Sequence, residues 1–571
     1  MKRKRKRTSS ARNSSSSSQQ TVTSYYLPDE CWESIFRFII YEDDENRHYL
    51  NSLSLVSKRF LSITNSVLFS FTIGFHTDLN CLFKRFTNLN SLKLDSCDFD
   101  QFLIKISCIP MKLTSLYISY YSTIPANVLR AFSQKITTLT SLTCYPKFPN
   151  HSLDASGLFL IAECFPLLQE LDLSYQYGWK NYSSYVDVVE ALSLALIKLR
   201  KVNFSGFHIN NQSLFHLFNN CKHLEEVILF NCDEITNEGF VFALRERPTL
   251  TSLSFSLSYK SAEYRKVFST SHFINSLVNL KGLTCLVLQS LIITDELLYS
   301  IAREVLPLTR LDLQHCTNYS YNGILCLLSN CQGIKYLDLQ GAYFLEDEHV
   351  VKLSSLLRDL EFINLSWCAK LTKSALFTLT KNCPSLSEIK MESIGSKSVH
   401  NSDSFVEFGV RPQLKSLYLG LNSWLSNESI IMFASVFPNL QLLDLWSFKP
   451  LNDISEGICE VLRKCSKIRH LKLNGCSRVN LLGLNFVVPN LEVLNLSGTM
   501  VNNETLYVIS KSCCGLLQLL LYNCKPVTQK GVKYLLENCT KLRKIRVRKI
   551  HVSTENKKFF SRHGCHIHYC D

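Results

Sequence analysis

The sequence lacks any long apolar run. Although 46% of its 571 residues are hydrophobic, no stretch reaches the roughly eighteen apolar residues of a membrane-spanning helix, and the first residues are charged, with no apolar segment behind them. We therefore expect a soluble, unsecreted chain with no membrane partner. A single compact core stops growing well before this length, so the chain needs several domains or a repeat architecture.

Catalytic motifs are also missing. The sequence has no glycine-rich phosphate loop, no nucleophile elbow and no helix with paired histidines. The C-terminal tail does offer five potential metal ligands, but alternation along a strand would turn neighbouring ligands to opposite faces, and no closed tetrahedral pattern fits them. These residues are His563, Cys565, His566, His568 and Cys570. We predict no catalytic residue, no metal site, no cofactor and a last irregular strand in the tail.

The body of the chain has no net charge. The formal charge is +14, but residues 1–12 contribute +7 and residues 541–571 contribute another +7, which leaves zero between them. A neutral body has no broad attraction for phosphate, which argues against nucleic acid as a partner. Residues 1–24 combine the basic run Lys2 to Arg7 with serine and glutamine, so we predict a disordered tail. The basic run favours the nucleus, alone or together with the cytoplasm.

A recurring leucine phrase fills most of the chain. From Leu89 onward, a leucine is followed by two residues, a leucine, one residue and a leucine, often with a cysteine three residues later, as in "LNSLKLDSC". Eighteen such frames occur, most often 26 residues apart, as is typical of leucine-rich repeats. Each frame predicts a short strand and then a helix, and neighbouring units must stack to share a core. Because strands pack more closely than helices, the stack is a curved solenoid with its strands inside.

Capping residues and cysteines follow the same register. The helices are predicted to begin after Thr236, Thr294, Thr372, Asn480, Asn502 and Thr528. Twelve of the 23 cysteines occupy two repeat slots, eight residues after or three residues before a frame start. We interpret them as reduced, buried side chains that pack one layer on the next. They are Cys97, Cys232, Cys316, Cys368, Cys476 and Cys524 in the first slot, and Cys221, Cys331, Cys383, Cys465, Cys513 and Cys539 in the second.

The stretch before the repeats has a different pattern. Pro28 suits a helix start, and Trp32, Ile35, Phe36 and Ile39 are predicted to line one face of that helix. The segment "LSLVSKRF", residues 53–60, is read as a second helix, with Leu53, Val56 and Phe60 on one stripe and Leu55 beside it, and the third apolar group is Ile63, Val67, Leu68 and Phe69. Three short helices cannot mutually hide this much apolar surface. A simple end cap for the solenoid is the alternative.

The order "LPDECWESIF", "LSLVSKRF" and "VLF" resembles an F-box. Followed by cysteine-containing repeats, it is similar to the plant-type F-box and leucine-rich-repeat family over about residues 27 to 550. Two positions differ from the family's usual residues: Ser57 stands in place of cysteine and Phe69 in place of tryptophan.

The resemblance implies a non-enzymatic substrate-recognition subunit of an SCF-type ubiquitin ligase. The F-box would dock on the Skp-type adaptor and through it on the cullin, while the solenoid holds an unknown protein destined for ubiquitin-dependent proteasomal degradation. By motif match, the adaptor-binding residues are Leu27, Pro28, Ile35, Leu55 and Val56. A nuclear interaction scaffold that meets no ligase is the alternative. A small-molecule-sensing receptor is disfavoured because its phosphate site would need clustered lysine and arginine on the concave floor.

Alternate strand residues face the concave side of such a solenoid. Reading them in order shows no basic stripe, and the densest aromatic and charged cluster falls in adjacent late frames. We predict a substrate-binding patch there, formed by Tyr418, Asp444 and Trp446 beside Lys390. The predicted organisation is a tail over residues 1–24, a small all-α F-box domain of three helices over residues 25–71, and an α/β solenoid of about 18 repeats over residues 72–571.

Overall fold

The structure is a computed structural model. It describes residues 27–42, 48–73, 78–95, 99–109, 111–120, 126–146, 155–174, 186–258, 261, 266–395, 409–447, 453–548 and 565–570. The predicted disordered tail, the basic run Lys2 to Arg7, Cys97 and His563 lie outside these residues.

Three helices form the N-terminal unit, as predicted. They are α1 (Asp29–Glu42), α2 (His48–Ser54) and α3 (Lys58–Val67). Asp29 and Glu30 lie in the first turn of α1, where a helix dipole favours negative charge. The prediction of one helix over residues 53–60 is wrong, because α2 ends at Ser54 and the side chain of Ser57 caps α3 by accepting a hydrogen bond from Phe60 N at 3.1 Å. Leu53, Val56 and Phe60 therefore share no helical stripe.

A small apolar core holds the three helices together. Phe36 is fully buried with Leu50, Ile63, Val67 and Leu68, and Trp32 and Phe60 pack against them. The rings of Trp32 and Phe60 are 4.7 Å apart, and those of Phe36 and Phe60 are 5.3 Å apart. The predicted face of α1 is wrong at one position: Ile35 is 39% exposed, because Trp32 and Phe36 turn toward α3 and leave it on the outer side.

The rest of the described chain is built on one sheet of twenty strands. Each strand pairs in parallel with the next strand along the chain, so the order of the strands in the sheet is their order in the sequence. The strands are β1 (Ser70–Ile73), β2 (Ser91–Asp95), β3 (Ser115–Tyr120), β4 (Ser141–Pro146), β5 (Glu170–Asp172), β6 (Lys201–Asn203), β7 (Glu226–Leu229), β8 (Ser252–Ser256), β9 (Cys285–Gln289), β10 (Arg310–Asp312), β11 (Tyr336–Asp338), β12 (Phe362–Asn364), β13 (Glu388–Lys390), β14 (Ser416–Tyr418), β15 (Leu442–Asp444), β16 (His470–Lys472), β17 (Val493–Asn495), β18 (Gln518–Leu520), β19 (Lys544–Arg548) and β20 (His566–Cys570).

Helices between the strands form the outer layer. They are α4 (Leu79–Arg85), α5 (Phe99–Ser107), α6 (Ala126–Lys135), α7 (Ala155–Cys164), α8 (Val186–Ala195), α9 (Asn211–Asn220), α10 (Asn237–Arg245), α11 (Ser271–Val278), α12 (Asp295–Arg303), α13 (Tyr321–Asn330), α14 (Asp347–Ser354), α15 (Lys373–Asn382), α16 (Asn427–Val436), α17 (Ser455–Lys464), α18 (Asn503–Ser512) and α19 (Gln529–Asn538). None of the helices in the described part of the chain has the length and apolarity that a bilayer crossing demands.

The eighteen predicted frames correspond to β2 through β19, and the alternation of strand and helix is that of a leucine-rich-repeat solenoid. The strand leucines are buried between sheet and helices in one continuous core that runs from Ile73 to Cys565. Strand β1 was not predicted, because "SFTI" lacks the leucine phrase. The tail forms β20 in register with β19, as the predicted last strand.

Most predicted helix starts are confirmed. The side chains of Thr236, Thr372, Asn502 and Thr528 each accept a backbone hydrogen bond from the first turn of the helix that follows, while Thr294 precedes α12 without such a bond. Asn480 begins no helix, so that prediction is wrong. Its frame is the shortest, at 23 residues, and holds Gly483, which disfavours a helix interior. The segment instead makes turns that bury Leu481, Leu484 and Val488.

The two cysteine slots lie between layers. All eleven predicted slot cysteines that the structure describes are buried, which confirms the prediction. Nine of these thiols reach a carbonyl oxygen of the preceding repeat; for example, Cys316 Sγ lies 2.9 Å from Leu288 O, and Cys476 Sγ lies 3.1 Å from Leu445 O. Burial raises the pKa of Cys316 to about 12. A cysteine therefore serves as a small buried side chain whose thiol can donate a weak hydrogen bond to a carbonyl of the neighbouring layer.

The three-helix unit adjoins the first repeats. The backbone N–H groups of Asn90 and Ser91 both donate to Phe69 O at 2.9 Å, and the rings of Phe71 and Phe86 stack 6.1 Å apart. The unit thus covers the first end of the solenoid core, which the end-cap alternative also required.

Candidate functional site

The first candidate surface is the apolar outer side of the three-helix unit. All five predicted adaptor-binding residues are exposed: Leu27 is 40% exposed, Ile35 39%, Leu55 86% and Val56 64%, and Pro28 also lies at the surface. Capping the solenoid therefore does not consume the apolar side chains of this unit. Contiguous exposed apolar side chains of this kind often mark a surface that contacts another molecule.

The turn between α2 and α3 holds two of these side chains outward. Leu55 N donates to Ser52 O at 3.2 Å, and Val56 N donates to Leu53 O at 3.1 Å, so the chain closes a tight turn before the Ser57 cap. Both side chains then have no part of the helical core to pack against. The departure at Ser57 is useful locally, because a serine oxygen caps a helix well.

An ion pair joins the start of α1 to the start of α3. Arg59 Nε lies 2.6 Å from Asp29 Oδ1, and an Arg59 Nη donates to Leu27 O, also at 2.6 Å. This contact keeps Leu27 and Pro28 next to the turn that carries Leu55 and Val56. The motif residues from two ends of the unit thus form one surface.

Sequence reasoning missed Phe38. It is 65% exposed and lies three residues after Ile35, on the same side of α1. The signal was available, because the buried positions Trp32 and Phe36 leave Ile35 and Phe38 on the outer side of the same helix. Phe38 extends the apolar surface along α1.

The second candidate surface lies on the inner face of the sheet, from β10 to β16. Cationic and aromatic side chains alternate there across neighbouring strands. Arg310 lies 3.6 Å above the ring centre of Tyr336, which stacks on Phe362 at 4.0 Å with the planes 5° apart. Lys390 Nζ is 5.2 Å from the Phe362 ring and 4.9 Å from the Tyr418 ring. We call this row the cation–aromatic ladder.

The predicted patch residues adjoin the end of this ladder. Tyr418 and Asp444 are register partners on β14 and β15, and Lys472 Nζ lies 5.8 Å from the Tyr418 ring and 3.2 Å from Asp444 Oδ2. Trp446 passes over Gly420, and its Nε1 donates to Glu392 Oε1 at 2.8 Å. Because Asp444 is 5% exposed, it orients Lys472 and Trp446 more than it offers a free carboxylate.

Burial shapes the electrostatics of the inner face. It raises the pKa of Asp444, which Lys472 opposes, and raises the pKa of Tyr418 to about 12. Burial and then neighbouring Asp312 raise the pKa of Asp338 to about 6. The side chains of Asp312 and Asp338 both accept hydrogen bonds from side-chain amides. Gln289 Nε2 donates to Asp312 Oδ2 at 3.0 Å, and Asn364 Nδ2 donates to Asp338 Oδ2 at 2.9 Å. Such a row of amides, rings and cations suits noncovalent recognition.

Sequence reasoning also missed half of the ladder. Arg310, Tyr336 and Phe362 stand one residue before the middle leucine of the phrase, and only the residues after that leucine were read. The residues before and after that leucine both lie on the inner face of the sheet, because the leucine between them points to the opposite side, into the core. Within the described residues, no three His, Cys, Asp or Glu side chains gather as a metal site would require.

Comparisons with known proteins agree with this architecture. A family model described as the F-box domain matches residues 26–72. The F-box/LRR-repeat protein 4 of Bos taurus is 26% identical over 188 residues, 33% of this chain and 29% of that protein. The transport inhibitor response 1-like protein Os11g0515500 of Oryza sativa is 24% identical over 307 residues, 47% of this chain and 52% of that protein. The chain thus spans about half or less of the relatives it matches.

Among solved structures, a chain of the yeast Rad7 and Elc1 complex aligns over 89% of this chain and 96% of its own length, with 17% identity and a TM-score of 0.42. The GRR1-like protein 1 of Arabidopsis thaliana is a further relative, 25% identical over 46% of this chain and 40% of its own length. The chain thus carries an F-box domain ahead of a leucine-rich-repeat solenoid, and it is similar in sequence to F-box/LRR-repeat proteins.

Proposed function

We propose that this protein is the substrate-recognition subunit of an SCF-type ubiquitin ligase. Its F-box docks on a Skp-type adaptor and through it on a cullin, and its solenoid holds the protein to be ubiquitinated. The protein makes no bond itself. Tethering raises the local concentration of substrate lysines near the conjugating enzyme to about the millimolar range.

The observation that carries this proposal is the exposure of Leu55 and Val56 on a turn fixed by two backbone hydrogen bonds and a helix cap. Their burial would contribute roughly 1.5 to 3 kcal/mol each. An end cap has no use for apolar groups on the side that faces away from the core. A second polypeptide on this surface removes them from water.

The test is co-purification of the full chain with a Skp-type adaptor and a cullin from cells. We expect the double variant Leu55→Ala with Val56→Ala to lose both partners. Its matched control is Leu482→Ala with Val487→Ala, because this pair has the same chemistry and is exposed on the solenoid. Loss with both pairs, or with neither, would contradict the adaptor assignment. Leu27→Ala with Pro28→Ala tests the other end of the surface.

The alternative function is a nuclear interaction scaffold. The observation in its favour is the unit's packing on the first repeats through Phe69, Phe71 and Phe86, which gives it a structural role that needs no ligase. A scaffold would keep its protein partners when Leu55 and Val56 are changed, and those partners would not accumulate when the proteasome is inhibited.

The basic run Lys2 to Arg7 leads us to propose nuclear entry, which deletion of that run would abolish.

For the substrate we propose the end of the cation–aromatic ladder, where Tyr418, Trp446 and Lys472 offer rings and a cation beside buried Asp444. Aromatic side chains are common anchors of protein interfaces. Partners recovered after proteasome inhibition, identified by mass spectrometry, would name the substrate.

A further inference from the structure

The last two described strands carry a basic stripe on their inner face. On β19, Lys544, Arg546 and Arg548 alternate with the buried core residues Ile545 and Val547. Alternation turns the three cations to the same side of the sheet, about 6.6 Å apart along the strand. The stripe is therefore about 13 Å long.

Strand β20 widens the stripe with two histidines. His566 and His568 are the register partners of Lys544 and Arg546, and both are exposed. Burial, followed by the charges of Lys544, His566 and Arg546, lowers the pKa of His568. We call these five residues the basic stripe.

Three cations elsewhere on the inner face have acidic partners. Lys201 lies 3.0 Å from Glu226, Lys390 lies 3.6 Å from Glu388, and Lys472 lies 3.2 Å from Asp444. Within the part of the chain that the structure describes, Lys544 and Arg548 make no ion pair, and Arg546 lies 5.7 Å from the Tyr522 ring centre. Lys544 and Arg548 thus lack the acidic partner that these three cations have.

The neighbouring strands offer apolar contacts instead of more charge. The inward residues of β17 and β18 are Val493, Asn495, Gln518 and Leu520, none of which is charged. Leu520 is the register partner of Arg546 and is partly exposed, and Tyr522 beyond it is exposed. A long polyanion would find no further cations on β17 and β18, whereas a peptide can place apolar side chains against Leu520 and Tyr522.

We propose that the basic stripe binds an extended acidic peptide segment of a partner protein, with acidic residues at alternate positions. An extended chain repeats its side chains about every 6.6 Å, the same spacing as Lys544, Arg546 and Arg548. A carboxylate row laid along β19 would meet the three cations in register. This binding does not depend on the F-box or on the ligase, so it stands or fails separately from the function proposed above.

The test is fluorescence anisotropy of the full chain with a labelled synthetic peptide of about twelve residues, with glutamate alternating with threonine and valine, in about 100 mM salt. The comparison probes are a peptide of the same composition with its glutamates in one block, and single-stranded oligothymidine of similar length. We expect the alternating peptide to bind about tenfold more tightly than the block peptide, because only its charges match the stripe in spacing.

The variants separate the stripe from general charge. Lys544→Glu with Arg548→Glu should weaken binding of the alternating peptide by about tenfold or more. Lys530→Glu with Lys533→Glu changes the net charge equally on α19, at exposed positions, and should leave binding nearly unchanged. Equal loss with both pairs, equal affinity for the two peptides or no binding would overturn the proposal. Tighter binding of oligothymidine, lost with the stripe variant, would replace it with a nucleic-acid site.

Discussion

The three-helix unit and the solenoid treat leucine in opposite ways. In the solenoid, strand leucines such as Leu337 are fully buried because each layer covers the one before it. In the unit, Leu55 is 86% exposed although a hydrophobic core lies next to it. The solenoid leucines contribute to folding, and the F-box leucine is available for another protein. The same residue type therefore has a structural role in one region and, in the function we propose, an interaction role in the other.

The largest expected effect tests this contrast with one substitution in both regions. Leu337→Ala should destabilise the protein by about 2 to 5 kcal/mol, because it leaves a cavity between strand and helix layers. Leu55→Ala should change stability by less than about 0.5 kcal/mol and still abolish adaptor binding. Urea unfolding followed by circular dichroism, with hydrogen exchange around β11, measures the first effect. A large loss of stability with Leu55→Ala would show that the turn belongs to the core.

The next effect concerns the ladder. Tyr418→Ala with Trp446→Ala should reduce substrate capture by about tenfold or more, because it removes the two rings at the end of the ladder. Quantitative mass spectrometry of co-purified proteins after proteasome inhibition measures the change. The control is Phe242→Ala with Tyr507→Ala, which removes two exposed rings from the outer helices α10 and α18. Capture that stays the same with the first pair would remove Tyr418 and Trp446 from the substrate site.

A smaller effect compares cysteines. Cys316→Ala should cost about 1 to 2 kcal/mol, because a buried thiol and its contact with Leu288 O are lost. Cys31→Ala, on the exposed side of α1, should cost less than about 0.5 kcal/mol. Urea unfolding of the two variants supplies both values. Equal costs would contradict the role of the buried cysteines as spacers between layers.

The smallest effect is a pH dependence from Asp338. Its pKa is raised to about 6 from 3.8, so the folded state holds a proton that the unfolded state releases between those values. The free energy of unfolding therefore decreases as pH rises from below 3.8 to above 6. The part of this decrease that falls between pH 5 and 7.5 is roughly 1 kcal/mol. Asp338→Asn should remove this part of the slope in urea unfolding series. An identical slope in the variant would show that Asp338 does not titrate in this range.

The repeats were predictable because their signal is local and periodic. The leucine phrase marks β2 through β19, and the cysteine slots follow from its register. The failures occur where tertiary contacts decide between local options. Residues 53–60 carry a helical apolar pattern, but the Ser57 cap divides them, and Ile35 is displaced outward by the packing of Trp32 and Phe36. Asn480 is a good cap residue in a frame too short for a helix.

The site was predictable only in part, for a related reason. Motif order identified the five exposed F-box residues, but Phe38 became visible only once the buried side of α1 was known. On the inner face, Tyr418 and Trp446 were found from their slot. Arg310, Tyr336 and Phe362 depend on stacking between neighbouring strands, which a single strand sequence does not specify.

The thiols between layers can also report local opening of the solenoid. Each thiol is covered by an adjacent repeat, so an alkylating reagent reaches it only after that repeat has opened locally. The order in which the cysteines become labelled would therefore show which repeats of the solenoid unfold locally first.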